Sequence, residues 1–126
     1  MEKDDLVLEI GRMLVQDPHI SSRPWSHLVI VAQMFDDSTK VNGFAYQDNG
    51  KALPTGPKNF DVLTRFEDLR EAMKEPSRNS WRACLIRIDQ PSGNLTADFE
   101  YDQPDKWLIT PATVRQMAEQ LRPKLN

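Results

Sequence analysis

The chain predicts an α+β domain: a four-stranded, mainly antiparallel sheet with three helices, in the order α-ββ-α-ββ-α. Three observations predict it. Apolar residues recur at three- and four-residue spacing near the start, in the middle and near the end of the chain, the mark of a helix with one buried stripe. Between these stretches, apolar runs come in pairs joined by short turns, and strands in hairpins pair antiparallel. A chain of 126 residues suits a single domain spanning 1–126. Helix stripes in such a domain need a sheet face to cover.

The first helix is expected over residues 2–16. Leu6, Val7, Ile10, Met13 and Leu14 form its stripe, and Glu2, Asp4 and Asp5 sit at its start, where the helix dipole favours negative charge. Asp17-Pro18 stops it, because the residue before proline is pushed out of the α region. Residues 19–24 read as a connector. Trp25 to Phe35 reads as a strand, and its run Leu28-Val29-Ile30-Val31-Ala32 predicts burial on both faces, hence a central position. Asp36-Asp37-Ser38 is turn chemistry, and Lys40 to Gln47 returns as the second strand. Residues 48–59 hold two glycines and two prolines and read as a loop without regular structure. Asn59 is a plausible cap for a helix through Lys74, with Phe60, Leu63, Phe66, Leu69 and Met73 as its inward stripe.

The second hairpin is the densest part of the chain. Trp81 to Asp89 is one arm, Gln90-Pro91-Ser92-Gly93-Asn94 the turn and Leu95 to Tyr101 the other arm, with Gly93 free to take positive φ. Leu95, Ala97, Phe99 and Tyr101 alternate with Thr96, Asp98, Glu100 and Asp102, so one face is buried and the other wet. Asp105 follows just beyond. Same-face acids repel, and Arg82 or Arg87 on the paired arm is expected to oppose them. Thr110-Pro111 then caps a last helix whose stripe is Val114, Met117, Ala118 and Leu121, closed by Pro123.

Catalytic chemistry finds little support. His19 and His27 have no Cys or His at metal-ligand spacing. Cys84, the single cysteine, lies mid-strand without the basic cluster that lowers a thiol pKa. Gly50-Lys51 lacks the rest of a phosphate-binding loop, and no spacing of serine, histidine and acid marks a nucleophile with its base. The net charge of −3 and pI of about 5.3 argue against a nucleic-acid binder, which carries a basic surplus. A lone cysteine fits a reduced, cytoplasmic setting. The acidic start has no apolar run of signal-peptide length, and no stretch approaches the roughly 20 apolar residues of a membrane span. Trp25, Trp81 and Trp107 stand at strand ends, where tryptophans serve as core lids; Trp107 is placed to anchor the acid-rich segment to the last helix.

Several patterns resemble one family: Trp25-x-x-Leu28, Gly43-Phe44-x-Tyr46, Pro54-x-x-Pro57, Phe66-x-x-Leu69-Arg70-x-x-Met73 followed by Trp81, and Leu121-Arg122-Pro123. The most specific is Asp98-Phe99-Glu100-Tyr101-Asp102, followed by Trp107-x-Ile109-x-Pro111. Together they resemble the YezG-like immunity proteins, antitoxins of bacterial polymorphic and contact-dependent toxin systems. The resemblance runs from about residue 6 to 125. It implies a non-enzymatic protein without cofactor or metal that binds a cognate toxin domain, a nuclease being the expected class, and blocks it stoichiometrically.

A nuclease carries a positive cleft for phosphates, and acids presented to it would occupy the phosphate positions. Asp98, Glu100, Asp102 and Asp105, with Tyr101 and Trp107 as aromatic anchors, are therefore the candidate partner-binding residues; Asp36, Asp37 and Asp48 fit the same demand. No direct contact with nucleic acid or membrane is expected. Two rivals remain. One is a small-molecule or metal-binding α+β module, even an enzyme, with the 48–59 loop as a lid over a pocket floored by Phe44, Tyr46 and Trp107. The other is a scaffold that oligomerises through an exposed sheet edge.

Overall fold

The apolar run from Leu28 to Ala32 lies at the centre of the molecule. In the computed structural model, which describes residues 2–123, it forms the middle of β1 (His27–Met34), and β1 pairs on both sides. Its neighbours are β2 (Thr39–Tyr46) and β4 (Ala83–Asp89). β3 (Ala52–Thr55) and β5 (Leu95–Glu100) are the two edges, giving the order β3-β2-β1-β4-β5 with every pairing antiparallel. The helices are α1 (Lys3–Gln16), α2 (Pro18–Ser21), α3 (Asp61–Ala72) and α4 (Val114–Gln120).

The α+β class and the antiparallel sheet agree with the expectation from sequence, but four strands and three helices are corrected to five and four, in the order α-α-βββ-α-ββ-α. The additional strand, β3, lies in the 48–59 stretch that its glycines and prolines had marked as loop. Pro54 pairs with Phe44 at the rim of the sheet, where a residue without an N–H is tolerated because that side faces no strand. The additional helix, α2, starts at the Asp-Pro that ends α1. Asp17 caps it by accepting the His19 N–H at 3.0 Å, and Pro18 takes the first helical position, a place proline favours. The α3 stripe also shifts: Val62, Phe66 and Leu69 are buried, whereas Phe60 is 80% exposed.

Both faces of the sheet are covered. One carries Leu28, Ile30, Ala32, Cys84, Ile86 and Ile88 against α1 and α3, with Trp81 packed on Phe99 at 5.7 Å between ring centroids. The other carries Val29, Val31, Phe44, Tyr46 and Leu85 under the segment that follows β5, through Trp107, Ile109, Met117 and Leu121. Each large apolar side chain fully buried in this way contributes roughly 1.5–3 kcal/mol. The β4–β5 turn forms as the sequence predicts. Gly93 has φ +75°, its N–H donates to Asp89 O at 2.8 Å, and Asp89 N–H donates to Asn94 O at 2.9 Å.

Asp17 is a buried carboxylate with a structural task. Its Oδ1 accepts the His19 N–H, and its Oδ2 accepts the N–H groups of Lys58 and Asn59 at 2.9 and 3.0 Å. One side chain thus ties the α1–α2 junction to the loop entering α3. Hydrogen bonds to a charged group contribute about 1.5–3 kcal/mol, and buried donors left without partners are costly. Asp17→Ala is expected to lower stability by on the order of 2–4 kcal/mol. Asp17→Asn, which keeps one acceptor oxygen, is expected to cost less. Urea denaturation of the three proteins checks the order.

Candidate partner interface

The six residues singled out from sequence fall at one end of β5, but they do not form one free patch. Asp98 faces the wet side of the hairpin and accepts from Arg87 Nη1 at 2.6 Å. The register explains the choice of Arg87 over Arg82. Arg87 pairs with Thr96, one step from Asp98 on the same face, within diagonal reach. The pair is solvent-exposed on both sides, where an ion pair contributes about 0–1 kcal/mol.

Glu100 is turned into the connection that follows the strand. Its Oε2 accepts the N–H groups of Asp102 and Gln103 at 3.0 and 3.3 Å, and its Oε1 lies 3.2 Å from Lys106 Nζ. These bonds, that from Asp102 first and then those from Lys106 and Gln103, hold the Glu100 carboxyl below the usual carboxylate range. Tyr101 is half-buried and already covered: the Arg78 guanidinium stands 4.0 Å from its ring centroid and donates to its hydroxyl at 2.8 Å. Trp107 is buried among Met117, Leu121 and the sheet, with Lys106 Nζ 5.3 Å over its ring. It anchors the segment to α4, as its position in the sequence predicts.

Asp102 and Asp105 are different. Both are exposed, and neither makes an ion pair among the described residues. The backbone that carries them is fastened from beneath at several points. Gln33, fully buried at the end of β1, donates to Pro104 O at 3.3 Å. Lys40 Nζ and Asn42 Nδ2 on β2 both donate to Ile109 O, at 2.8 and 3.3 Å. Glu100 and Trp107 complete the fastening. Asp36 and Asp37, in the exposed β1–β2 turn, lie at this same end of the sheet, because Gln33 pairs with Ala83 and Ala83 with Glu100. Asp48 lies at the opposite end, in the turn between β2 and β3.

Gln33, Lys40 and Asn42 are the residues that sequence reasoning missed. A glutamine inside an apolar strand run was the available signal, since a buried amide needs a partner. Its Oε1 and the Asn42 Oδ1 have no hydrogen-bond partner among the described residues.

The remaining chemistry-bearing groups sit elsewhere. Cys84 is buried on β4, and burial first, then Asp98, pushes its thiol pKa up, away from nucleophilic use. Tyr46 is raised to about 12, chiefly by burial, and its hydroxyl donates to Ala118 O at 2.8 Å. Phe44, Tyr46 and Trp107 pack as core, so the pocket floor expected of them is filled, and the 48–59 stretch is β3 with its turns rather than a lid.

The structure does bring together Ser26, His27 and Asp89, which no sequence spacing had joined. Ser26 Oγ is 3.0 Å from His27 Nδ1, and His27 Nε2 is 3.5 Å from Asp89 Oδ1. The Ser26 hydroxyl donates to Tyr46 O at 3.2 Å, so its proton is directed at backbone and not at the imidazole. Among the described residues, no group of three or more His, Cys, Asp or Glu side chains converges as a metal site requires, and no helix is long and apolar enough to cross a membrane.

A scan against protein-family models finds none that matches this chain, and a search of curated proteins finds no match.

The Glu100 pKa is depressed in the fold, so its hold on the loop is complete above the ordinary carboxylate pKa of about 4.3. That hold is lost as pH falls through the lower folded value. The 101–107 segment is expected to loosen in that acid range before the sheet unfolds, seen as a tryptophan fluorescence change with far-UV circular dichroism intact. Glu100→Gln should show the loosened state already at neutral pH. An identical acid transition in wild type and variant would show that Glu100 does not control the loop.

Proposed function

We propose that this domain is an immunity protein: it binds a cognate toxin domain, a nuclease by class, and neutralises it by occupying its cationic cleft. The reading rests on the sequence resemblance to the YezG-like immunity proteins and on one structural observation that supports it. Asp102 and Asp105 stand unpaired among the described residues on a segment fastened to the sheet by Gln33, Lys40, Asn42, Glu100 and Trp107. A loop held in place before contact loses little conformational entropy on binding. Free carboxylates at its crest also steer a positive surface into encounter. Asp36 and Asp37 extend the same charge across the end of the sheet. Asp98 and Glu100 act in this reading as internal braces, and Tyr101 and Trp107 as anchors of the loop.

The experiment is binding to the toxin domain encoded beside this protein's gene. The double variant Asp102→Lys/Asp105→Lys is expected to weaken binding by about tenfold or more and to flatten its salt dependence, mainly through a slower on-rate. Asp48→Ala, which removes an acid at the opposite end of the sheet, is expected to change affinity by less than about threefold. Unchanged affinity and salt dependence in the double variant removes the loop from the interface. No complex with that toxin domain at micromolar concentration removes the proposed function for the pair.

A second reading has one observation in its favour. A cleft of about 440 Å³ opens between β1, β4, β5 and the end of α4, lined by His27, Arg87, Asp89, Asn94, Thr96 and Arg122. Its size suits a small ligand, and its two arginines, against the single Asp89, an anionic one. An anionic molecule retained in native mass spectrometry, and lost on Arg87→Ala, would favour this reading.

A further inference from the structure

We propose that the outer edge of β5 is a docking strand, which takes an extended segment of a partner protein, alternating apolar and basic residues, as a sixth strand of the sheet. The inference rests on reading the domain as a protein-binding one, and it names the form and chemistry of what is bound.

The two ends of the sheet differ. β3 is four residues long, and the bonding alternation turns Pro54 outward, so that rim lacks a donor, a common way to blunt an edge. β5 is six residues long and has no proline. The Asp89–Asn94 bond sets its phase. Asn94 faces β4, and by alternation so do Thr96, Asp98 and Glu100, while Leu95, Ala97 and Phe99 turn their N–H and C=O groups to the outer side. No described strand pairs with that side.

Side chains on both faces of this edge specify what would fit. On the wet face Asp98 is 57% exposed at its side chain and gives only Oδ2 to Arg87. A residue of an added strand directly opposite it would lie about 5 Å away, where a lysine or arginine is favoured. On the other face α1 overhangs the edge. Gly11 lies against Leu95, so closely that a Cβ there would meet Leu95 Cδ1. Leu8 and Val15 share the Gly11 stripe at spacings of three and four residues, and they are 57% and 39% exposed. The opposite flank of α1 is occupied, since Glu9 pairs with Arg65 of α3 at 3.4 Å. An exposed apolar flank thus stands beside an open strand edge, and apolar side chains of an added strand would cover it.

A second copy of this chain fits poorly. Pairing β5 with β5 antiparallel about Phe99 sets Asp98 opposite the Glu100 of the other copy, and pairing about Ala97 sets the two Asp98 side chains diagonally adjacent; like charges so placed destabilise a strand pair. The edge selects instead a basic, apolar-alternating segment of another protein, the mode of strand addition in which the main chain supplies affinity and alternate side chains supply specificity.

The probe is an end-blocked eight-residue peptide alternating valine and lysine, added to isotopically labelled protein. On saturation the Ala97 and Phe99 amides are expected to exchange at least about tenfold more slowly, whereas a valine–glutamate peptide leaves them unchanged. Ala97→Pro removes one outward donor at an edge position where proline is tolerated and should weaken binding about tenfold or more. Should that variant fail to fold, Asp98→Lys carries the test, with the preference expected to invert toward the glutamate peptide. No slowing at millimolar lysine peptide, equal binding by Ala97→Pro, or equal binding of the two peptides to wild type overturns the proposal. A toxin complex that leaves Ala97 and Phe99 unprotected overturns strand addition but spares the inhibitor reading. Peptide docking without toxin binding spares the docking strand and removes that reading.

Discussion

Everything in this fold hangs on a strand that is dry on both sides. β1 gives its backbone bonds alternately to β2 and β4, and it gives its side chains alternately to the helices and to the C-terminal segment. No polar group in its middle is available to the solvent, so each bond must be made within the sheet. That requirement explains why the chain continues past β5 and folds back. Without Trp107, Ile109, Met117 and Leu121, the face carrying Val29, Val31 and Phe44 would be open to water. The returning segment that carries the candidate interface is therefore part of the core's own closure.

The same economy appears in the acidic side chains. Asp17 and Glu100 each turn one oxygen to two backbone N–H groups of a neighbouring loop, and Asp98 is matched by Arg87. Acids in this chain divide into those that brace and those that face outward. The division follows local geometry: Asp102 and Asp105 lie beyond the strand, where no cation is placed across from them by register. Density of charge in the sequence is therefore a poor guide to density of charge on the surface.

Much of the fold was legible in the residues. The Leu28–Ala32 run marked the central strand, Gly93 marked the tight turn with its positive φ, and the α1 stripe marked the helix that covers the sheet. Edge conditions were less legible. Pro54 reads as a breaker unless its position at the rim is known, and Asp17-Pro18 reads as a stop although it is equally a start. Phe60 continues the helical spacing of α3 but precedes its first turn and points to solvent. The candidate interface was half legible. Period-two alternation placed Asp98 and Glu100 on one face correctly, but it carries no information about partners brought from β1 and β2. The roles of Gln33, Lys40 and Asn42 come from contacts about 70 residues apart in the chain, which no local pattern encodes.

Cys84 is fully enclosed near the start of β4, on the face covered by α1 and α3. Its sulfur is the chain's single thiol, and reagents reach it only when the packing over this face opens. The protein thus contains its own clock: the speed at which a thiol-directed dye labels it measures how often the helices lift from the sheet or the sheet itself comes apart.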